Sequence, residues 1–213
     1  MNPLQIALFV GAVIATMIVI FVGWRWASRI WSLPCPSVVA WALESPFYRR
    51  ITGTEKTLER IGLKSGQCVL EVGPGPGRLL IPAAQKVLPG GEVVGIDIQP
   101  GMIERLKARA KTAQITNLSA ILGDATQPIV PESSFDVVFL VTTLGEISDR
   151  AAVLAQCFRV LKPGGVLSVT EMFPDPHYQS RSTVKRLANE AGFQFRSIQG
   201  RWWLFTANFV RPG

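Results

Sequence analysis

Two kinds of hydrophobic pattern divide the chain. Residues 4–24 form an uncharged run in which only Gln5 and Thr16 are strongly polar. A run with no polar face predicts a helix that is apolar all round. At 1.5 Å per residue those positions rise about 31 Å, close to the thickness of a hydrocarbon core. A transmembrane anchor is therefore expected over residues 1–27. A cleaved signal matches less well, because no Lys or Arg precedes the run and it exceeds the usual apolar stretch of about 7–15 residues. Residues 28–53 hold Pro34, Pro36 and Pro46, which break any long element, and the aromatic–basic string Phe47, Tyr48, Arg49, Arg50. They read as a juxtamembrane amphipathic collar, with Ser37 placed to cap a short helix through Leu43.

From residue 54 the period changes repeatedly. Helical spacing is expected at residues 54–61 with Gly62 as the stop, then at 78–88, 101–113, 149–161 and 182–191, the last closed by Gly192. Pro82 weakens the first turns of the second of these. Short apolar runs at 68–72, 92–98, 118–122, 135–141 and 166–170 read as buried strands, and 193–198 with 204–210 as a final strand pair. Strands alternating with helices predict an α/β domain over residues 54–213: a mostly parallel, doubly wound sheet covered on both faces. Ligands in such sheets bind beyond the carboxyl ends of the strands.

Composition sharpens this picture. Only 17% of the 213 residues are charged, against about 25% in soluble domains, and the uncharged run accounts for much of the deficit. The net charge of +7 is uneven: residues 1–60 hold six basic against three acidic side chains, 61–175 ten against eleven, and 176–213 six against one. Arg25 and Arg29 follow the apolar run, so the positive-inside rule puts the C-terminal side in the cytoplasm. Trp24, Trp26 and Trp31 fall where an interfacial belt would sit. Ala7, Gly11, Ala15 and Gly23 share a four-residue spacing that permits weak self-association of the helix. Near the C-terminus, Arg181, Lys185, Arg186, Arg196 and Arg201 accompany Trp202 and Trp203. With an anchor present, that combination points to a lipid surface rather than nucleic acid. Cys35, Cys68 and Cys157 are widely spaced, with no zinc-type pattern, and read as reduced thiols with no metal site expected.

The candidate chemistry begins at Glu71-Val72-Gly73-Pro74-Gly75-Pro76-Gly77, a glycine loop between a strand and a helix. A dinucleotide fingerprint, G-x-G-x-x-G, would need glycine where Arg78 stands. Pro76 also removes a backbone donor from what would be the phosphate cradle. Asp97 ends the second strand, twenty residues after Gly77, where a carboxylate can accept from ribose hydroxyls. Asp124, in Gly123-Asp124-Ala125, ends the third strand, where it can accept from the amine of a base.

Together with Gly95-Ile96-Asp97-Ile98 and Leu161-Lys162-Pro163-Gly164-Gly165, these motifs resemble the class I S-adenosylmethionine-dependent methyltransferases, most nearly the ubiquinone and menaquinone biosynthesis type. The resemblance covers about residues 54–211. It implies a Rossmann-like seven-stranded sheet whose last strand is antiparallel, and S-adenosyl-L-methionine as cofactor. It implies that Gly73, Gly75 and Gly77 pass under the cofactor with Glu71 near its methionyl amine. Asp97 would take the ribose, Ile98 and Met102 would lie beside the adenine, and Asp124 and Ala125 would hold the adenine edge.

For the acceptor, the loops after the fourth and fifth strands supply the candidates Glu146, Glu171 and His177, the only histidine, expected in a proline-flanked loop at the mouth of the site. An imidazole suits a general base near neutral pH. Many quinone-type relatives carry histidine after the fourth strand, where this chain has Thr142-Thr143. The expectation is a membrane-anchored methyltransferase with a small, lipophilic or membrane-associated acceptor, a quinone precursor or a lipid headgroup. The alternatives are a non-catalytic S-adenosylmethionine-binding scaffold and, less favoured by Arg78, a nicotinamide-dependent oxidoreductase.

Overall fold

The computed structural model describes residues 2–31, 53–173 and 175–213. Helix α1 (Pro3–Trp31) starts with Asn2 and Gln5 capping each other: the Asn2 backbone N–H donates to Gln5 Oε1 (3.0 Å) and the Gln5 N–H to Asn2 Oδ1 (2.8 Å). Pro3 sits at the first helical position, where its missing N–H costs nothing. Thr16 donates from its hydroxyl to the Ala12 carbonyl at 2.9 Å. The Gln5 side-chain oxygen and the Thr16 hydroxyl thus find partners within this segment, as a lipid-facing stretch requires of its polar groups. The stretch Pro3–Ile20 is exposed throughout, and it lies in the one helix, among the described residues, long and apolar enough to cross a membrane. The helix continues past residue 27 to Trp31, since nothing before Pro34 interrupts it. The expected cap at Ser37 and the aromatic–basic string at 47–50 lie outside the described residues.

The sheet contains β1 (Cys68–Val72), β2 (Glu92–Asp97), β3 (Leu118–Leu122), β4 (Phe135–Val141), β5 (Leu161–Met172), β6 (Gln194–Arg201) and β7 (Leu204–Val210). Their spatial order is β3-β2-β1-β4-β5-β7-β6. The first five strands pair in parallel, and β7 runs antiparallel to both of its neighbours. The chain therefore winds outward from β1 to β3, then returns to β4 on the other side of β1. The crevice at this reversal, at the carboxyl ends of β1 and β4, is where such sheets take ligands.

Helices α2 (Thr54–Ile61), α3 (Leu80–Lys86), α4 (Pro100–Thr112), α5 (Arg150–Val160) and α6 (Arg181–Glu190) cover the sheet. Strand β4 shows why both faces are covered. Its Val137, Phe139 and Val141 enter one buried cluster with Leu58 of α2, Leu80 and Ala84 of α3 and Leu106 of α4, whereas Val138 and Leu140 enter another with Leu154 of α5 and Val184 of α6. A continuous apolar run satisfies both sides of a sheet at period two.

Of the element boundaries that differ from the sequence expectation, two do so for clear local reasons. Helix α3 starts at Leu80, not 78, which places Pro82 at the third helical position, where the N–H has no intrahelical partner anyway. Strand β5 starts at Leu161, not 166: the pairing jumps from Phe135–Leu161 to Val137–Val166, so the strand passes its Pro-Gly-Gly punctuation as an irregularity. Asp136 ties the amino ends of the central strands by accepting from the Cys68 N–H (2.8 Å) and the Lys162 ammonium (2.7 Å). Cys68 and Cys157 are free thiols, and burial pushes the Cys157 thiol up to about 12.

Candidate functional site

Strand β1 delivers Glu71 to the crevice. Alternation puts Leu70 and Val72 into the core and leaves Glu71 between them, 3% exposed. The chain then turns at Gly73 (φ 69°) and Gly75 (φ 53°), in the left-handed region that favours glycine. Around this turn lies a cavity of about 380 Å³. Glu71, Gly73, Gly75, Asp97, Ile98, Met102, Asp124 and Ala125, all expected from the sequence, line it. Glu146 lines it from the loop after β4.

The hydrogen bonds of the turn decide what the cavity can accept. The Gly73 N–H donates to the Ile96 carbonyl (2.8 Å), the Gly75 N–H to Asp97 Oδ2 (3.1 Å), and the Gly77 N–H to the Pro74 carbonyl (3.0 Å). Pro74 and Pro76 have no N–H. Every backbone donor from 73 to 77 is thus committed within the protein, and none is left for a pyrophosphate. Asp97 also accepts from the Gln99 N–H at 2.9 Å, so this carboxylate joins the turns after β1 and β2. Asp124 Oδ1 accepts from the Thr126 N–H (2.9 Å) and hydroxyl (2.8 Å), which fixes the turn after β3.

The cavity wall carries five carboxylates (Glu71, Asp97, Asp124, Glu146, Asp149) against one guanidinium, Arg78. Burial pushes the Glu71 carboxyl well above its ordinary range. Arg78 acts the other way, and the Asp97 charge adds to the rise. Glu71 Oε2 is buried without a hydrogen-bond partner among the described residues. Asp97 is also raised by burial, an effect its backbone donors Gln99, Gly75 and Ile98 oppose. An acid-lined, donor-poor cavity with an orphaned carboxylate oxygen suits a cation carrying N–H and O–H donors.

Three expected residues sit elsewhere. Gly77 is not on the cavity wall: a Cβ there would lie 2.4 Å from Leu106 Cδ1 and 3.1 Å from Ile81 Cδ1, so this glycine serves the packing of the turn against α4. His177 is not at the mouth but buried, 4% exposed, with its carbonyl pressed against Gly145, where a Cβ would meet it. Its N–H donates to Asp175 Oδ1 (2.7 Å), and its carbonyl accepts from Gln179 Nε2 (2.7 Å). Glu171 is 1% exposed and accepts from the Gln179 N–H (3.0 Å). Burial raises its carboxyl, and the Asp175 and Glu146 charges reinforce the shift. Glu171 and His177 therefore lie behind the loop that carries Glu146.

Two contributors were not foreseen. Arg78 was read only as a missing glycine; it lines the cavity, opposes the Glu71 shift and donates to Thr54 Oγ1 at 3.3 Å. Thr142 holds φ 56°, an outlier for a β-branched residue, and leads into Thr143, whose side chain fills the space beside Gly73. The double threonine in the sequence was the available signal.

The architecture and the cation-suited crevice together define a class. Residues 63–198 match a family profile described as a methyltransferase domain, and the chain belongs to that family, the class I S-adenosylmethionine-dependent methyltransferases. It is 37% identical over 130 residues to nocamycin O-methyltransferase of Saccharothrix syringae, covering 61% of this chain and 46% of that one. It is 33% identical over 119 residues to a demethylmenaquinone methyltransferase of Geobacillus sp. (strain WCH70), covering 56% and 51%. The chain thus spans about half the length of these curated relatives. A crystal structure of a SAM-dependent methyltransferase from Aquifex aeolicus superposes with a TM-score of 0.77 at 22% identity, over 83% of this chain and 99% of that one, and shares the fold. Family and cavity alike stand against the nicotinamide alternative.

Glycines 75 and 77 are expected to separate. Gly77→Ala should cost about 2–4 kcal/mol of stability, from overpacking plus left-handed strain. At Gly75 the nearest atom to a new Cβ is Met102 Sδ, at 4.0 Å, so Gly75→Ala should cost only about 1 kcal/mol of stability. It should nevertheless weaken cofactor binding about tenfold or more, since the backbone there lines the cavity. Urea melts and calorimetry check both, and undiminished binding by Gly75→Ala would remove that position from the wall.

Glu71→Gln should pull stability and binding apart. A carboxyl raised in the folded state opposes folding once it must ionise, so wild-type stability falls as pH rises from about 4.5 toward the raised value. The Gln variant should be more stable than wild type near neutral pH, and equal to it below pH about 4. It should bind S-adenosylmethionine about 10–100-fold more weakly, the scale of a hydrogen bond to a charged group. Unfolding across pH and calorimetry measure the two effects.

Proposed function

We propose that this chain is a membrane-anchored S-adenosylmethionine-dependent methyltransferase. Its catalytic domain, residues 54–213, lies on the cytoplasmic side, and its acceptor is a small lipophilic or membrane-associated molecule such as a quinone precursor or a lipid headgroup. The observation that carries this reading is the acid-lined cavity at the β1–β4 reversal, with the orphaned Glu71 oxygen on its wall.

The residues present fit the cofactor. Glu71 would hold the methionyl ammonium, which would partner Oε2 and stabilise the ionised carboxylate. Asp97 would accept from the ribose hydroxyls with the lone pairs its backbone donors leave over. Asp124 and Ala125 would hold the adenine edge, with the exposed Ile98 and the buried Met102 on the same wall. Gly73 and Gly75 keep the wall free of side chains. When bound, S-adenosylmethionine supplies an electrophilic methyl group on a sulfonium, open to in-line displacement. The protein's task is then to orient the acceptor and exclude water.

Glu146 faces the cavity and is the residue placed to take a proton from an acceptor that arrives protonated. Arg150 donates to the Leu144 carbonyl (3.2 Å) and the Gly145 carbonyl (2.9 Å), and His177 backs the same loop, so both position Glu146. Glu171 lies close enough to interact electrostatically with Glu146. Burial raises its carboxyl, which limits the negative charge behind the loop. The lipophilic acceptor is supported by α1, whose exposed apolar surface would hold the enzyme at the phase where such molecules dissolve.

Incubating the full chain in detergent with methyl-labelled S-adenosylmethionine and a membrane lipid extract should place label in the organic-soluble fraction. Label confined to aqueous metabolites or to protein would overturn the acceptor class.

A further inference from the structure

Residues 176–213 hold six basic side chains against one acidic, and the β6–β7 turn presents the pair Trp202-Trp203. The register shows where this turn lies. Met172, the last residue of β5, pairs with Leu204, the first of β7, and Arg201, the last of β6, pairs with the same Leu204. The turn therefore projects from the carboxyl ends of the parallel strands, the end that carries the cofactor cavity. The Phe173 N–H donates to the Trp203 carbonyl at 2.7 Å and locks the start of the β5 loop to this turn.

At the tip, Trp202 is 62% exposed and Phe173 41%. Their rings meet edge to face at 5.2 Å; Phe173 meets Tyr178 at 5.6 Å, and Tyr178 meets the fully buried Phe205 at 6.2 Å. The Tyr178 hydroxyl donates to the Trp202 carbonyl at 2.6 Å. Exposed aromatics are thus fastened to the core by a chain of rings, which a floppy loop would not need. Arg181 donates to the Gly200 carbonyl at 2.8 Å and Arg201 is exposed beside the tryptophans, while the exposed Lys185 lies one helical turn beyond Arg181. Rigid, half-exposed tryptophan and phenylalanine with guanidinium groups at the rim suit the headgroup layer of an anionic bilayer: rings at the apolar boundary, cations at the phosphates.

We infer that the Phe173–Trp202 tip and its arginines form a second membrane contact, which docks the carboxyl end of the sheet on an anionic lipid surface and turns the cavity toward the bilayer. This rests on the anchored reading proposed above. Twenty-two residues separate Trp31 from Thr54, so α1 confines the domain within about 75 Å of the membrane. Tethering turns a weak surface contact into an intramolecular one. Docking in this orientation gives a lipid-dissolved acceptor a path to the cavity that avoids bulk water.

The full chain reconstituted in nanodiscs tests this by hydrogen exchange. Discs of phosphatidylcholine alone are compared with discs of equal parts phosphatidylcholine and phosphatidylglycerol. Amides of residues 199–205 and those around Phe173 should exchange about fivefold or more slowly in the anionic discs, while residues 118–122 of β3, on the far side of the sheet, stay unchanged. The double variant Trp202→Ser, Arg201→Ser should lose this lipid dependence and keep its affinity for S-adenosylmethionine. Equal exchange at the tip in both discs would overturn the second contact and leave the anchor standing. A chain captured by neither disc would overturn the anchor itself, and the docking with it.

Discussion

A carboxylate buried at the carboxyl end of β1, with one oxygen lacking a partner, is the constraint around which the site is organised. Glu71 is there because the strand before it alternates into two cores, and because the turn after it spends its donors on Ile96, Asp97 and Pro74. The fold thus sets an acid among apolar side chains, and desolvation raises its carboxyl against the pull of Arg78. Such an arrangement is costly in the free protein and becomes favourable only when a cation enters.

The rest of the cavity follows from that arrangement. Asp97 ties the β1 and β2 turns together, and Asp124 stiffens the β3 turn, so each acid both shapes its loop and lines the cavity. The loop after β4 closes the far wall. It is held from behind by Arg150 and by the His177 backbone as well as by its own turn, where the Glu146 N–H donates to the Thr143 carbonyl. Binding residues and the scaffold that places them are largely the same groups. Substitutions at Asp97 should therefore disturb turn geometry as well as affinity.

The alternation of periods was enough to read the sheet and its covering helices, because burial on both faces demands uninterrupted apolar runs. Glu71, Asp97 and Asp124 were legible because strand ends are local features. What the sequence could not display was the destination of each polar group. Gly77 resembles its two neighbours in the motif, yet only the approach of Leu106 from α4 separates its role from theirs. His177 reads as a surface base until Gly145, more than thirty positions earlier, is seen beneath its carbonyl. Arg78 looks like a defect in a dinucleotide motif until Glu71 is found within its electrostatic reach. The Pro-Gly-Gly of β5 reads as a break because propensity cannot weigh the pairing with β4 that carries the strand through.

The most direct test of the central claim is proton release on cofactor binding. If the ammonium of S-adenosylmethionine completes Glu71, binding must lower a carboxyl pKa that burial raises in the free protein. Titration calorimetry in buffers of different ionisation enthalpy, at pH values between the ordinary carboxyl value and the raised one, should then report net proton release. In Glu71→Gln most of that release should vanish. Proton-neutral binding across the range, or the same release from the variant, would contradict the assignment of Glu71 as the cation-binding acid.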